Sequence, residues 1–426
     1  MKNVYNVLFE RGFIEQVTDE KLVRDLLGEN NITCYVGFDP TATSLHIGSL
    51  VPIMALIHMQ KYGHGLIVLI GGGTALIGDP SGKTEMRKVL TSEQVDKNAE
   101  SLKKQFSQYL DFDGDNPLLL NNADWLTNLH YLDFLRDVGR HFSVNKMLAA
   151  ESYKVRLEKG LSFIELNYML LQSYDFFYLC KHYDCVLQLG GNDQWGNIVA
   201  GIDLTRRLQG KRVYGITFPL LTTSQGFKMG KTEKGTVWLD IKLTAPYDYF
   251  QFWINTDDAD VERFLALFTF LPMEEIRETK KLAGAELNMA KTVLAFEATK
   301  ITHGEKAAVD ALKASVGAFN LKPVDPALCK SSTVPRSEVI HDVSAIAVFE
   351  KTREEVVTIP LPELFEETNL CASRGETRRL IAQGGIYVNE RRIQSIDERI
   401  TSGDIDQNGE FRLRKGKKKY VRITTI

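Results

Sequence analysis

The 426-residue chain predicts a parallel α/β body, a helical module behind it and a small basic α+β unit at its end. Three observations carry this. Apolar runs of strand length alternate with helical patterns from residue 33 to about 220, as in a parallel sheet covered on both faces. From 246 to about 320 the periodicity is helical throughout. Beyond a proline-bearing stretch, the charge balance turns strongly positive.

In chain order, TCYVGF (33–38), GLIVLIGG (65–72), PLLLNN (117–122) and DCVLQLGG (184–191) are rich in Val, Ile and Leu, as strands buried on both sides are. Between two of them, TSEQVDKNAESLKKQFSQYL (91–110) reads as a helix, and MALIHMQKYGH (54–64) as a helix with an apolar face. Residues 1–245 are therefore expected to form one Rossmann-like domain. VERFLALFTF (261–270) and LNMAKTVLAFEATKITHG (287–304) place a helical domain at 246–320. Residues 321–345, with prolines at 323, 326 and 335, are expected to link it to a C-terminal domain of residues 346–426. Two or three domains suit this length at about 150 residues each.

Hydrophobic residues make up 44% and charged residues 25% of the chain, ordinary for a globular protein. No apolar run approaches the roughly 18 residues of a membrane span, so no membrane partner is expected. The opening MKNVYNVLFERGFIEQ mixes charges too early for a secretory or transit peptide. Cysteines at 34, 180, 185, 329 and 371 are odd in number and scattered, which suits a cytoplasmic location better than a disulfide framework. Residues 371–426 hold 13 Lys/Arg against 7 Asp/Glu, and this local +6 leaves −9 for the rest of a chain with net charge −3. A basic tail on an acidic body points to a polyanionic partner.

DPTATSLHIGSL (39–50) leaves the first strand and enters a helix. At the carboxyl edge of a parallel sheet, helix starts present N–H groups to anions. Thr41, Thr43 and Ser44 add hydroxyls there, His46 adds a donor, and Gly48 leaves room for a flat ring. The same residues read equally well as helix capping, with His46 on the surface. The next strand exit, GGGTALIGDPSGKTEMRK (71–88), carries Asp79, Lys83 and Arg87. Gly82-Lys83-Thr84 ends like a phosphate-binding P-loop, but the required first glycine falls on Ile77, with Gly78 one place off. GFKMGKTEKG (226–235) sets Lys228 and Lys231 among glycines. It reads as a solvated charged loop or, with Lys83 and Arg87, as the counter-charge for a triphosphate.

In LSFIELNYMLLQSYDFFYLCK (161–181), Glu165, Tyr168, Gln172 and Asp175 recur every three or four residues on one face of an otherwise apolar helix. A polar stripe on a buried helix is expected to face a wet cavity. GGNDQWGN (190–197) brings Asp193 and Gln194 to the same sheet edge. CKHYDC (180–185) gathers Cys, His and Cys but lacks the second ligand pair of a structural zinc site, so no structural metal is expected. In CASRGETRRLIAQGGIYVNERRI (371–393), Arg374, Arg378 and Arg379 fall within two helical turns, and FRLRKGKKKYVRI (411–423) reads as a basic hairpin. Arginines on one helix face suit nucleic-acid phosphates.

VGFDPTATSLHIG, LIGDPSGK, GRHFSVNKML, LLQSYDF and GGNDQWGN resemble, in order and approximate spacing, the bacterial tyrosyl-tRNA synthetases of class I. The 39–50 turn resembles their HIGH-containing stretch and KMGKT (228–232) their KMSKS loop, while 371–393 resembles a small RNA-binding fold shared with a ribosomal protein. The likeness runs from about residue 30 to 245 and again over the C-terminal unit. It implies a homodimeric tyrosine–tRNA ligase acting on L-tyrosine, tRNA(Tyr) and ATP, with Mg2+ carried on the nucleotide. It implies catalytic roles for Thr41, His46, Lys83, Arg87, Lys228, Lys231 and Thr232. Tyrosine would be held by Tyr35, Asp79, Tyr168, Gln172, Asp175 and Gln194. ATP would meet Gly37, Asp39, His46, Gly48, Ser49, Gly190, Asp193 and Lys231, and tRNA would meet Arg374, Arg378 and Arg379.

The sequence departs from the family pattern twice: Ser49 replaces the second histidine of HIGH, and Gly230 and Thr232 alter KMSKS. Both lysines of the loop remain, and Ser49 can still donate a hydrogen bond toward a ribose. The rival readings are a P-loop phosphotransferase, an RNA-binding protein on an inactive scaffold, and the tryptophan sister enzyme, which Tyr35 with Asp175 disfavours.

Overall fold

The computed structural model describes residues 3–81, 90–112, 117–158, 160–224, 226, 229, 231–232, 235–319, 321–336, 348–416 and 419–426. Six strands build the central sheet: β1 (Gln16–Val17), β2 (Thr33–Phe38), β3 (Gly65–Ile70), β4 (Leu118–Asn121), β5 (Cys185–Gly191) and β6 (Tyr214–Phe218). Their order is β1-β6-β5-β2-β3-β4, and every neighbouring pair is parallel except β1 with β6. The chain steps outward from β2 to β3 and β4, then returns to the other side of β2 for β5. β2 and β5 therefore adjoin at the switch point, where loops diverge and leave a crevice beyond the strand ends.

The strands form where the sequence is apolar without alternation: Leu66 to Ile70 are all buried. The helix Ile47–Lys61 buries every residue from Ile53 to Met59. It lies between the sheet and the helical module, so the single apolar face expected of it extends all round. The helix Phe163–Tyr183 starts at a capping box between Ser162 and Glu165 and stops at Asp184, whose left-handed φ of 48° ends the turn. Glu165 also pairs with buried Arg156 at 2.8 Å. Of the four residues in the polar stripe, it secures the helix start and does not face the cavity.

Helices Pro246–Ile254, Val261–Phe268, Gly284–His303 and Glu305–Phe319 make the helical module. Trp253, Phe264, Phe268 and Phe296 are buried in the same apolar cluster as Leu50, Ile53 and Met54 of the Ile47–Lys61 helix. Each such side chain contributes about 1.5–3 kcal/mol on burial, so one core spans the expected boundary at 245. Arg11 strengthens the junction by donating to the carbonyls of Ala266, Thr269 and Leu271 at the end of the Val261–Phe268 helix.

The first part of the expected linker is packed. Val324, Cys329 and Val334 are buried in the main core, and Arg336 donates to the carbonyls of Leu328 and Cys329. Beyond the main sheet, β7 (Lys231–Thr232) and β8 (Gly235–Thr236) form a two-stranded hairpin. The C-terminal unit has a sheet of β9 (Val348–Lys351), β10 (Ile386–Val388), β11 (Arg391–Arg392), β12 (Glu410–Lys415) and β13 (Lys419–Thr425) in the order β11-β10-β12-β13-β9. Its own apolar cluster includes Leu364, Phe365, Ile381, Val388, Leu413 and Ile423. The basic stretch 411–423 is the expected hairpin, with Phe411 opposite Ile423.

Candidate active site

Register fixes what the crevice shows. Tyr35 on β2 stands opposite Gln188 on β5, and Gly37 opposite Leu69 on β3. Side chains alternate along a strand, so Tyr35, Gly37 and the following Asp39 share one face of the sheet. That face floors a cavity of about 470 Å³, lined also by Thr41, His46, Gly48, Ser49, Asp79, Tyr168, Gln172, Asp175, Gly190, Asp193 and Gln194. All fourteen of these residues were singled out in the sequence, whereas Gln188 and Leu69, which also line the cavity, were not, and the fourteen come together from five separate stretches.

At the deep end, Asp175 is buried and both its oxygens are engaged. Asn122 Nδ2 donates to Oδ2 at 2.9 Å, and Trp125 Nε1 donates to Oδ1 at 2.8 Å. Burial outweighs these two donors and pushes its carboxyl up to about 7, with nearby Asp39 adding to the rise. The Tyr35 hydroxyl is buried without a hydrogen-bond partner, as is the Gln188 side-chain oxygen. Burial, then the charge of Asp175, holds the Tyr35 phenol well above its ordinary range.

Toward the middle, polar groups knit three loops together. Asp39 accepts from Thr74 Oγ1 at 2.8 Å and from the Tyr168 hydroxyl at 2.9 Å. Asp79 accepts from the Ser81 N–H at 2.9 Å and from Gln194 Nε2 at 2.8 Å. Asn197 Nδ2 donates to Gln172 Oε1 at 2.9 Å and to Gln194 Oε1 at 3.1 Å. The result is two carboxylates and several amide oxygens converging on one wall, a setting for an ammonium group.

At the mouth, the histidine turn is both cap and wall. His46 Nδ1 accepts the Gly48 N–H at 3.0 Å, which leaves the hydrogen of the neutral ring on Nε2. A Cβ on Gly48 would stand 2.9 Å from the His46 ring, so this glycine first serves the close approach of the histidine. A Cβ on Gly37 would meet nothing within 4 Å, so no protein atom requires a glycine there. The trailing arm of the 226–235 loop is paired onto this turn. Ile47 N–H donates to the Val237 carbonyl at 3.0 Å and Leu239 N–H to the Leu45 carbonyl at 2.9 Å, with His46 and Trp238 bridged between them.

Lys83, Arg87 and Lys228 lie outside the described residues, and Lys231 and Thr232 are described only as the backbone of β7. The residues that sequence reading passed over are Thr74, Asn122, Trp125, Gln188, Asn197 and Trp238. Some had a signal: Gln188 is the one polar side chain inside an apolar strand, and Asn122 ends a strand at the sheet's carboxyl edge. Cys180, near the end of the Phe163–Tyr183 helix, and Cys185, the first residue of β5, are buried free thiols, each pushed up by burial, and among the described residues no cluster of three His, Cys, Asp or Glu could hold a metal. In the C-terminal unit, Arg374 starts the helix Arg374–Ala382 and pairs with Glu363 at 3.0 Å and Glu366 at 2.9 Å, whereas Arg378 and Arg379 are exposed.

Residues 28–320 match the family of class I tRNA synthetases (W and Y), and residues 339–423 match the C-terminal domain of tyrosine–tRNA ligases. The tyrosine–tRNA ligase of Syntrophus aciditrophicus is 63% identical over 424 residues, which cover 99% of each chain. The chain belongs to the class I tyrosine–tRNA ligases. A second such ligase, from Desulfosudis oleivorans, is 57% identical across 99% of this chain and 98% of its own. Among solved structures, a C-terminally truncated mitochondrial tyrosyl-tRNA synthetase of Aspergillus nidulans is 32% identical, with a TM-score of 0.65 over 73% of this chain and 93% of its own. Membership in these ligases sets aside the P-loop phosphotransferase, whose first glycine the sequence lacks. The ligase body and its C-terminal domain are both present, each with its own core.

Proposed function

We propose that the cavity activates L-tyrosine with ATP to tyrosyl-adenylate and pyrophosphate, and that the tyrosyl group then passes to the terminal adenosine of tRNA(Tyr). One observation carries the choice of amino acid. The Tyr35 hydroxyl is buried without a partner beside Asp175, whose carboxylate is fixed by Asn122 and Trp125. A phenolic hydroxyl would pair with the Tyr35 hydroxyl and add a further donor to Asp175; a phenyl ring leaves the Tyr35 hydroxyl unpaired at a cost of about 1–3 kcal/mol. Tyr168, Gln172 and Asp79 would hold the α-ammonium, and Gln194 the carboxyl end. Gly37, Asp39, Gly48, Ser49, Gly190 and Asp193 would take the adenosine.

The substrate carboxylate is ionised near neutral pH and needs no general base. One of its oxygens bonds to the α-phosphorus as the bond to pyrophosphate breaks, so catalysis is positioning plus stabilisation of the leaving group. Thr41, His46 and Thr232, with the cations Lys83, Arg87, Lys228 and Lys231, are the groups we assign to that charge. Magnesium enters with the nucleotide. The exposed apolar side chains Tyr131, Leu132, Val144, Phe163 and Ile164 crowd into one sequence region and support a homodimer. Five free cysteines support a cytoplasmic setting, and among the described residues no helix is long and apolar enough to cross a membrane.

Pyrophosphate exchange into ATP, measured with each of the twenty amino acids, is expected to respond to tyrosine alone. Tyr35→Phe should narrow the preference for tyrosine over phenylalanine by about tenfold; an unchanged ratio would remove Tyr35 from the pocket. We also assign tRNA anchoring to residues 346–426, with exposed Arg378 and Arg379 on phosphates. A chain cut after residue 336, which keeps the packed 324–334 stretch, should still exchange pyrophosphate but charge tRNA poorly. Normal charging by that truncated chain would refute the anchoring role.

A further inference from the structure

The 226–235 loop has two arms with different moorings. Its trailing arm is paired to the histidine turn through residues 237–239. Its leading arm runs from β6 through Leu221, which lines the cavity, and Met229 N–H returns to the Leu221 carbonyl at 2.9 Å. That leading arm is fastened to a different part of the protein. Asp260 and Arg263, at the start of the Val261–Phe268 helix of the helical module, hold its backbone. The buried Asp260 carboxylate accepts the Ser224 N–H at 2.9 Å, and Arg263 Nη1 donates to the Thr222 carbonyl at 3.3 Å.

We propose that Asp260 and Arg263 are positioning residues for adenylate formation: they set the Leu221–Ser224 arm, and with it the rim of the cavity, from the helical module. The inference rests on the proposed tyrosine activation. Asp260 suits this duty because the helix dipole favours a negative charge at the N-terminus, and its side chain makes no capping hydrogen bond to the helix, so the carboxylate is turned to the Ser224 N–H. Arg263 suits it because the guanidinium on a long stem spans from the helix to a carbonyl on another segment. The two contacts grip successive parts of the arm, one on a donor and one on an acceptor. They therefore fix its orientation as well as its distance. Among the described residues no other side chain hydrogen-bonds to the backbone of Thr222 or Ser224.

The test is Asp260→Ala against Asp260→Asn in the full-length protein, with tyrosine affinity measured by equilibrium binding and kcat by pyrophosphate exchange. Asp260→Ala is expected to lower kcat about tenfold or more while leaving tyrosine affinity unchanged, since the Tyr35–Asp175 end lies away from the arm. Asp260→Asn keeps an acceptor oxygen for the Ser224 N–H and should recover most of the rate. A purely structural role would lower Tm alike in both variants and leave kcat of the folded protein intact, which overturns the proposal. Arg263→Met, which keeps the apolar stem and removes the donor to Thr222, provides a second route should the alanine variant not fold. A wild-type kcat in Arg263→Met would equally overturn it. Absence of exchange in the wild-type protein would sink the activity reading itself, a distinct result.

Discussion

Replacing Trp125 by phenylalanine trades the bicyclic indole for a single six-membered ring and takes away its N–H. The indole is stacked on Tyr178 with ring centroids 4.3 Å apart and planes 13° apart, and a phenyl ring can keep that contact. What disappears is the Nε1–H donated to Asp175 at 2.8 Å, one of two donors holding a buried carboxylate. A hydrogen bond to a charged group is worth about 1.5–3 kcal/mol, and the loss falls on the ionised form alone. At about 1.36 kcal/mol per pKa unit, Asp175 should rise by roughly one to two units, starting from about 7. The ionised carboxylate is the strong acceptor for a phenolic hydrogen. The acid limb of kcat/KM for tyrosine, which reports the free enzyme, should therefore move up by the same amount. Exchange kinetics between pH 5 and 10 on both proteins would show it. A limb that stays in place, or moves down, means that Asp175 is not the group that titrates in tyrosine recognition.

Two further predictions rest on equally local geometry. Gly37→Val should leave Tm unchanged, because its Cβ meets no atom within 4 Å, yet abolish most exchange by filling the cavity floor; full activity in that variant would place the substrates elsewhere. His58 is buried between Phe13 and Phe270 with Nε2 unpartnered, and burial, helped by Arg11 and Lys61, lowers its pKa from 6.5 to about 3. Its unfolded form binds a proton that the folded form refuses between those values, so stability falls as pH drops through 6.5 toward 3. Between pH 7 and 5 the wild type should lose about 2 kcal/mol more than His58→Leu in urea unfolding; parallel losses would show that His58 finds a partner when protonated.

Strand positions and cavity residues were legible because both depend on short-range pattern. The runs at 33–38, 65–70, 118–121 and 185–191 are apolar without alternation, and glycine or polar residues mark where each leaves the sheet. Tyr168, Gln172 and Asp175 stood out as polar positions at helical spacing on an apolar helix. What the pattern hid were pairings between distant segments. β1 is two residues long and owes its existence to β6, about 200 residues away. Trp125 looks like any core aromatic until its N–H is seen on Asp175. Glu165 shared the stripe's spacing but satisfies Arg156 and Ser162, a choice set by a neighbouring helix that periodicity does not encode. Prolines at 323, 326 and 335 suggested an open linker, but Val324, Cys329 and Val334 give that stretch enough apolar surface to pack.

The pairing of residues 45–47 with 237–239 sets a clock on the ribosome. At about 5–20 residues per second of synthesis, roughly 10–40 seconds separate the emergence of the histidine turn from that of the segment that completes it. For the first and longer part of that interval β2 has β3 on one side only, because its other neighbour, β5, begins at Cys185. A bare apolar edge of this kind is a template for pairing with other chains. Premature products ending before residue 185 should then be found in aggregates, with no trace of partial activity. The growing polypeptide gains solubility and catalytic competence late and nearly together.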